Sequence, residues 1–461
     1  MSAGFDPMVL SAQYSATPDE LTSSSRMRPV PLSVKTLAVP SQSGTQASGG
    51  QVLFQLNSAS GFIKPGSIYM RCRITLVAGG VVNGAAATSV AFGNGCRNAS
   101  SIIDRFTVSS GAVLESINQY GSSYVPTLLL HASNQSYING DDGLLEGGKR
   151  NSAGAQNFVA GVSTSVLLNS WVDIAAAETS ANIALANTYI DCVIPLYSNV
   201  FQNEKAYPLA LLAQNTLVQF DLASFGKAFS VVGTSGIYTD YQVSNPFLVY
   251  DLITPSAEYI GALKAQVQQG MLYQIPFVSA LGTQLQKAGT STTYNWGVGL
   301  SSLMGITYSC LANPTSLGDS KYLMSDNTVG VNTNLSNFRL FLDGQQQNSV
   351  IQDTTAVRFG EQQKVWGALG DVNRTSASGG IVSAGAATTY VTSPVAYENF
   401  FFVGGQNCQK INENMAMTGS QVNNISFILE TANNTGTVIL ANAWHQRILV
   451  IDGAGSANIV L

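Results

Sequence analysis

Residues 52–76, VLFQLNSASGFIKPGSIYMRCRITL, decide the fold class of this 461-residue chain. Apolar side chains occupy every second position from Val52 to Leu56 and again from Ile68 to Leu76. A period of two places one face of a strand in a core and leaves the other face to solvent or a neighbouring protein. Lys64-Pro65-Gly66 separates the two halves with turn-forming residues. The stretch therefore predicts two half-buried strands of a β-sheet.

Short strands of the same kind recur along the chain. They are predicted at Arg105–Val108, Thr188–Ile194, Leu217–Leu222, Leu272–Phe277 and Phe338–Leu342. Gly/Ser/Ala/Asn-rich segments such as 78–100 and 140–165 separate some of them and are longer than ordinary hairpin loops. We expect these insertions to form loops that project from the outer surface of the molecule.

The composition supports an all-β protein and excludes several classes of function. Only 10% of the residues are charged, and Asn, Gln, Ser, Thr and 44 Gly supply the polar positions, as strands and their turns require. The net charge is -5 and no block of basic residues is present. The chain therefore lacks the clustered Lys and Arg with which nucleic-acid-binding proteins contact phosphates. The apolar fraction of 45% suffices for sizeable cores in two or three domains.

The cysteines indicate neither a zinc site nor a disulfide framework. Their number is odd, no pair has C-x-x-C spacing, and they lie far apart, at Cys72, Cys96, Cys192, Cys310 and Cys408. Cys72 falls in the apolar phase of an alternating segment, where a small hydrophobe serves equally well. We therefore predict buried thiols.

The two halves of the chain resemble each other. Residues 255–270 begin with Pro-Ser and end with Gly, which predicts a short helix between the halves. Lys205–Leu222 and Asn412–Leu429 align without gaps, matching Phe220 with Phe427 and Leu222 with Leu429. Strands are predicted after both segments, at 247–253 in the first half and at 437–440 and 447–451 in the second. Two similar β-domains in tandem explain this order.

The first 30 residues are polar and lack periodicity, which predicts an extended arm that becomes ordered on assembly. The arm lacks the basic start and apolar core of a signal peptide, and no apolar run of the chain reaches about 18 residues. We expect the protein to mature in the cytoplasm of the cell that makes it.

No stretch of the sequence predicts a catalytic, cofactor or metal site. His131 and His445 lack a recognisable nucleophile context, so we interpret both as packed or surface residues. Asp141, Asp142 and Glu146 lack the spacing of an EF-hand and fit a solvated turn. Gly147–Arg150 lacks the leading Gly and the Ser/Thr of a P-loop.

Several segments resemble the double jelly-roll major capsid proteins of icosahedral DNA viruses, the hexon-like lineage. In the first half these are Ile194–Phe201 (IPLYSNVF), Ala206–Gln214 (AYPLALLAQ) and Ser244–Asp251 (SNPFLVYD). In the second half they are Asn337–Gly344 (NFRLFLDG), Phe401–Gln406 (FFVGGQ) and Ala441–Leu449 (ANAWHQRIL). The resemblance covers about residues 50–461 as an order of elements.

The resemblance implies an all-β fold of two tandem eight-stranded jelly rolls with a few short helices in the connections. The expected domains are an arm at 1–30, a first jelly roll at 31–253, a helical linker at 254–270 and a second jelly roll at 271–461. The implied function is that of a major capsid protein, without catalysis. Three copies form a pseudo-hexagonal capsomer, and capsomers tile an icosahedral shell over an internal membrane.

The resemblance also implies partners and a location. The partners are the chain itself, vertex (penton) and minor capsid proteins, and a viral membrane reached by the arm, with no sequence-specific nucleic-acid binding. The location is the virion, after synthesis in the host cytoplasm. Two other functions stay open: a carbohydrate-binding adhesin or fibre protein, because polar β-sandwiches also bind glycans, and, ranked last, a glycan-degrading enzyme. The enzyme requires paired carboxylates on facing strands, whereas acidic residues such as Asp141 and Asp371 lie in predicted turns.

Overall fold

A computed structural model gives the fold of the chain. It describes residues 32–58, 61–78, 81–82, 88–92, 99–132, 172–174, 183–184, 188–203, 205–232, 238–286, 290–312, 335–347, 351–368, 379–384, 387–392, 403–409, 419–431 and 437–460. The predicted arm at 1–30 lies outside these residues, as do residues 140–165 and the Asp141–Arg150 segment.

Strands make up most of the described structure. In the first half they are β1 (Leu32–Pro40), β2 (Gln46–Ala47), β3 (Gln51–Leu56), β4 (Phe62–Ile63), β5 (Tyr69–Ala78), β6 (Val81–Val82), β7 (Thr88–Phe92), β8 (Ile103–Ser110), β9 (Ala112–Asn118), β10 (Val172–Ile174), β11 (Ile183–Ala184), β12 (Thr188–Pro195), β13 (Thr216–Leu222), β14 (Phe229–Val232) and β15 (Tyr238–Pro255). In the second half they are β16 (Tyr273–Gln286), β17 (Ser291–Trp296), β18 (Leu300–Ala312), β19 (Leu335–Leu342), β20 (Gln345–Gln346), β21 (Gly379–Ala384), β22 (Ala387–Thr392), β23 (Gly404–Asn407), β24 (Ser420–Val422), β25 (Ile425–Thr431), β26 (Thr437–Ile451) and β27 (Ala457–Val460).

The helices are short and lie in connections. They are α1 (Val125–Ala132), α2 (Asn199–Gln202), α3 (Phe225–Ala228), α4 (Ala257–Gln268) and α5 (Thr355–Ala368), with 3-10 turns at Ala99–Ile102 and Leu209–Leu211 and a π turn at Tyr120–Tyr124. The helix predicted at 255–270 is α4. Ser256 caps it by accepting a hydrogen bond from the backbone N–H of Tyr259.

The first half forms one barrel of two antiparallel sheets, called here the first barrel. One sheet has the strand order β1-β15-β5-β12, with β2 and β4 also pairing with β15. The other has the order β3-β13-β8-β9. The inward side chains of both sheets, such as Met70, Cys72, Phe54 and Phe220, belong to one buried cluster. The alternation between 52 and 76 therefore places its apolar phase in the core, as predicted.

The second half repeats this topology and is called the second barrel. Its sheets have the orders β16-β26-β18-β23 and β17-β25-β19-β20. In both barrels the first strand pairs with a long strand near the end of that half (β15 or β26), and a helix follows the fourth strand of the second sheet (β9 or β20) in the chain. Phe220 and Phe427, matched in the sequence comparison, both lie on the strand that is second in its four-stranded sheet. The prediction of two tandem jelly rolls is confirmed.

One predicted boundary is wrong. The separate segments expected at 437–440 and 447–451 belong to the single strand β26. The intervening Ala441-Asn442-Ala443 looks poorly suited to a strand, but it pairs with β16 on one side and β18 on the other. Tertiary pairing outweighs local propensity in the middle of a sheet. The small Ala441 and Ala443 side chains also fit the crowded core of the second barrel.

The 78–100 insertion contributes strands that pair outside the main sheets. β7 lies between β10 and β14 in a three-stranded sheet, and β6 pairs with β11. Segments that are distant in the sequence therefore pair with one another in these small sheets.

Candidate functional site: the junction between the barrels

The two barrels meet in a contact built from buried aromatic and polar side chains. It brings β9, the π turn and residues 199–203 and 205–213 of the first barrel against β16 and β26 of the second. We call this contact the barrel junction. Its residues belong to the large buried cluster that includes Tyr124 and Tyr207 from the first barrel and Tyr273 and Trp444 from the second.

An aromatic pair fixes the middle of the junction. The rings of Tyr124 and Trp444 stack with their centroids 5.3 Å apart. The Trp444 indole Nε1 donates to Thr307 Oγ1 at 2.9 Å, which orients the ring. Beside it, Asn442 Nδ2 donates to Ser123 Oγ at 2.8 Å. Such buried and directed contacts fix one relative placement of two domains.

Side chains also bond to backbone atoms across the junction. Tyr273 Oη donates to the Ala206 carbonyl and Lys205 Nζ donates to the Gln274 carbonyl, both at 3.2 Å. Asn199 Nδ2 and Asn203 Nδ2 donate to two further carbonyls of β16, those of Val278 and Pro276. Residues 199–203 and 205–213 thus follow β16 for several positions.

Glu115 lies fully buried in the junction. Ser198 Oγ donates to its Oε2 at 2.5 Å, and Ser279 Oγ, from the second barrel, donates to its Oε1 at 3.4 Å. Burial raises the pKa of Glu115 to about 7, although these hydroxyls and the backbone N–H groups of Asn199 and Val200 oppose the shift. Burial lowers the pKa of the nearby Arg447, and the charge of Glu115 partly restores it.

Of the two histidines, His445 lies on β26 near the junction. It is buried, with Nδ1 at 3.2 Å from the Ala443 carbonyl oxygen. Burial lowers its pKa to about 4, and the charge of Arg447 acts in the same direction, so the ring is neutral at pH 7. The His131 side chain is outside the described structure. The interpretation of both as packed or surface residues stays a prediction.

The structure describes some of the other residues that the sequence analysis considered. Cys72, Cys192 and Cys408 are buried, as predicted. Among the residues that the structure describes, no three His, Cys, Asp or Glu side chains are placed to hold a metal ion. The described helices include none of the length and apolarity needed to cross a membrane. The sequence analysis did not predict the junction. The only indication of it in the sequence is the acidic Glu115 within the largely apolar strand β9.

The fold with its two joined barrels defines the chain as a double jelly-roll protein. No protein-family model and no curated protein sequence matches it. Solved structures do. The fold is similar to that of the PBCV-1 virus capsid, with a TM-score of 0.56 and 11% identity over 95% of this chain and 99% of the other.

Two further structures are similar over both barrels. The Faustovirus major capsid protein gives a TM-score of 0.55 and 9% identity over 92% of each chain. A chain of the Sputnik virophage gives 0.52 and 14% identity over 93% of this chain and 88% of that one. At such identities the similarity shows a shared fold.

Proposed function

We propose that this chain is a major capsid protein that acts by self-assembly and has no catalytic role. The observation that carries the proposal is the match of both barrels, over nearly the whole chain, to capsid structures. The internal repeat supports it, because three chains with two similar barrels each supply six similar units to a hexagonal lattice position. The homotrimer is then the capsomer, and many capsomers tile an icosahedral shell.

The barrel junction supports the same function. A capsomer built from paired barrels needs each pair to hold one geometry, and the buried contacts of Trp444, Glu115 and Asn442 provide this. The low content of charged residues suits a chain with broad subunit interfaces, which are depleted in Lys, Glu and Asp.

The proposal includes the domain division into an arm at 1–30, barrels at 31–253 and 271–461, and a linker at 254–270. The arm contacts minor capsid proteins or an internal membrane beneath the shell, and vertex proteins complete the lattice. The protein is made in the host cytoplasm and resides in the virion.

The test is the mass of the purified native chain, measured by size-exclusion chromatography with light scattering. We expect three times the 48.5 kDa of one chain, about 145 kDa, and closed shells when partner proteins are present. A chain that stays monomeric at every concentration refutes the capsomer. A monomer or fibre that also binds a glycan array makes it an adhesin instead.

A further inference from the structure

Two buried cysteines of the first barrel lie directly opposite each other on neighbouring strands. In the antiparallel pairing of β5 with β12, Cys72 is the register partner of Cys192. Their side chains are 2% and 1% exposed and belong to the same buried cluster. Register partners point to the same face of a sheet, so the two thiols enter one core side by side. The long stretch of sequence between them conceals this pairing.

The backbone positions of the pair suit a covalent link. Residues directly opposite each other in antiparallel strands have Cα atoms about 4.5 or 5.5 Å apart, and a disulfide bond spans about 4.4–6.8 Å. The Cβ atoms of such partners lie about 4.5–5.5 Å apart, against about 3.5–4.5 Å in a disulfide. Closing the bond therefore draws the strands together and gives a disulfide that other thiols reduce readily. In the structure both cysteines are reduced thiols.

Access to the two thiols depends on β12. This strand is the last in the order β1-β15-β5-β12, and among the described strands it pairs with β5 alone. A strand held by one neighbour opens locally more easily than a central strand. Burial, with a smaller effect from the charge of Asp191, raises the pKa of the Cys72 thiol to about 12, so the closed core holds almost no reactive thiolate. The closed sheet thus protects both thiols, and detachment of β12 exposes them together.

β12 also leads the chain into the barrel junction. It ends at Pro195, and Ser198, Asn199 and Asn203 follow it with contacts to Glu115 and to the backbone of β16. β5, in contrast, is held on both sides, by β15 and by β12. A bond between β12 and β5 therefore anchors the start of the junction contacts to the interior of the sheet.

We propose that Cys72 and Cys192 form a redox site, which closes into a reversible disulfide bond on reaction with an oxidised low-molecular-weight thiol such as glutathione disulfide. The bond fixes β12, and with it the entry to the barrel junction, when the chain passes from reducing to oxidising surroundings. This inference goes beyond the proposed function and does not depend on it.

The reaction is a pair of thiol–disulfide exchanges. One protein thiolate attacks glutathione disulfide, forms a mixed disulfide and releases one glutathione thiolate. The second protein thiolate attacks the protein sulfur of the mixed disulfide and releases the other glutathione thiolate. The two released thiolates take up the two protons that the cysteines lose. Two protein thiols are thereby oxidised, and one glutathione disulfide is reduced to two molecules of glutathione.

Thiol labelling of the native chain tests the site. The chain is incubated with glutathione disulfide below its unfolding transition, then labelled with N-ethylmaleimide in urea, digested and analysed by mass spectrometry. We expect Cys72 and Cys192 to lose their labels together and to appear as one linked pair of peptides, which reduced glutathione separates again. In the oxidised chain, hydrogen exchange at 188–195 is expected to slow by about tenfold, and the thermal midpoint is expected to rise by about 5 °C.

Cys408 supplies the matched control. It is buried, and burial raises its pKa to about 12 as well, but Cys72 and Cys192 lie in the other barrel. We expect Cys408 to keep its label under the same oxidation. Cys408→Ala is expected to retain the link between Cys72 and Cys192, whereas Cys192→Ala is expected to lose it and to leave Cys72 labelled.

Two outcomes overturn the redox site. One is full labelling of both cysteines after a large excess of glutathione disulfide, including at urea concentrations just below the unfolding transition, where β12 opens. The other is a link from either of them to a different cysteine. A link that leaves hydrogen exchange at 188–195 unchanged refutes the anchoring of β12. None of these outcomes measures the mass of the assembly, so a failure of the proposed function is detected separately.

Discussion

Replacing Glu115 with Gln is expected to stabilise the protein at pH 8 much more than at pH 5. Glu115 is fully buried between the barrels, where the hydroxyls of Ser198 and Ser279 and two backbone N–H groups donate to it. The charge of Glu115 acts on the pKa values of both Arg447 and Tyr124. A carboxylate in this place is therefore desolvated with only partial compensation.

The magnitude follows from the pKa. Burial raises the pKa of Glu115 from 4.5 to about 7. A raised folded-state pKa gives a contribution to stability that is complete below the unfolded-state value and is lost as the pH rises through the folded-state value. At about 1.4 kcal/mol per pKa unit, the wild type loses about 3.5 kcal/mol over the whole titration of this residue, of which about 2.5 kcal/mol falls between pH 5 and pH 8. Gln does not ionise, so the variant avoids the loss.

The assay is urea unfolding of wild type and Glu115→Gln at pH 5 and pH 8, at one chain concentration. The quantity compared is the difference in unfolding free energy between the two proteins, in which titrations common to both, including that of His445, cancel. We expect this difference to favour the variant by about 2.5 kcal/mol more at pH 8 than at pH 5. An equal difference at both pH values refutes a raised pKa for Glu115.

Three further substitutions test the junction and the cores, each by urea unfolding beside the wild type. Trp444→Ala removes the stacking on Tyr124 and leaves a cavity, so we expect a loss of about 3–5 kcal/mol; a loss under about 1 kcal/mol contradicts a tightly packed junction. Gly404→Ala is expected to destabilise by about 1–3 kcal/mol, because the added Cβ meets the Tyr308 ring. Gly261→Ala is the contrasting control, because the added Cβ meets open space inside a helix and is expected to stabilise by about 0.5–1 kcal/mol. The unfolding free energy of the wild type is expected to fall between pH 6.5 and pH 4, because the lowered pKa of His445 makes protonation favour the unfolded chain there. His445→Asn is expected to reduce this fall. An equal dependence of the unfolding free energy on pH in both proteins contradicts this.

The sequence predicts most of the fold because the decisive signals are local. The alternation from Val52 to Leu76 reports burial directly, since a half-buried strand presents every second side chain to one core. The helix at 255–270 has capping signals at both ends and is present as α4. The match of Phe220 with Phe427 works because both residues occupy the same strand of a repeated topology.

The junction is not predictable in the same way, because its burial comes from the second barrel. On β9, Leu114 and Glu115 are adjacent and both fully buried, which breaks the period of two. The register shift between the partners of Val108 and Ser109 adds a residue to β9 at this point, and the other barrel covers the side that solvent would otherwise reach. From the sequence alone, Glu115 would be assigned to the solvent-exposed side of its strand. Only the position of the second barrel shows that it is buried.

The proposed capsomer depends on the angle at which two copies of the chain meet. A head-to-tail contact between identical chains grows into a filament unless its rotation closes a ring. The barrel junction fixes the rotation between barrels within a chain through contacts such as Tyr124 with Trp444. If the contact between copies uses surfaces of both barrels, the rotation fixed inside each chain also sets whether a ring closes, and a loosened junction is expected to turn closed rings into mixed or open assemblies. Trp444→Ala viewed by electron microscopy distinguishes these outcomes, since rings identical to those of the wild type show that the junction does not set the closing angle.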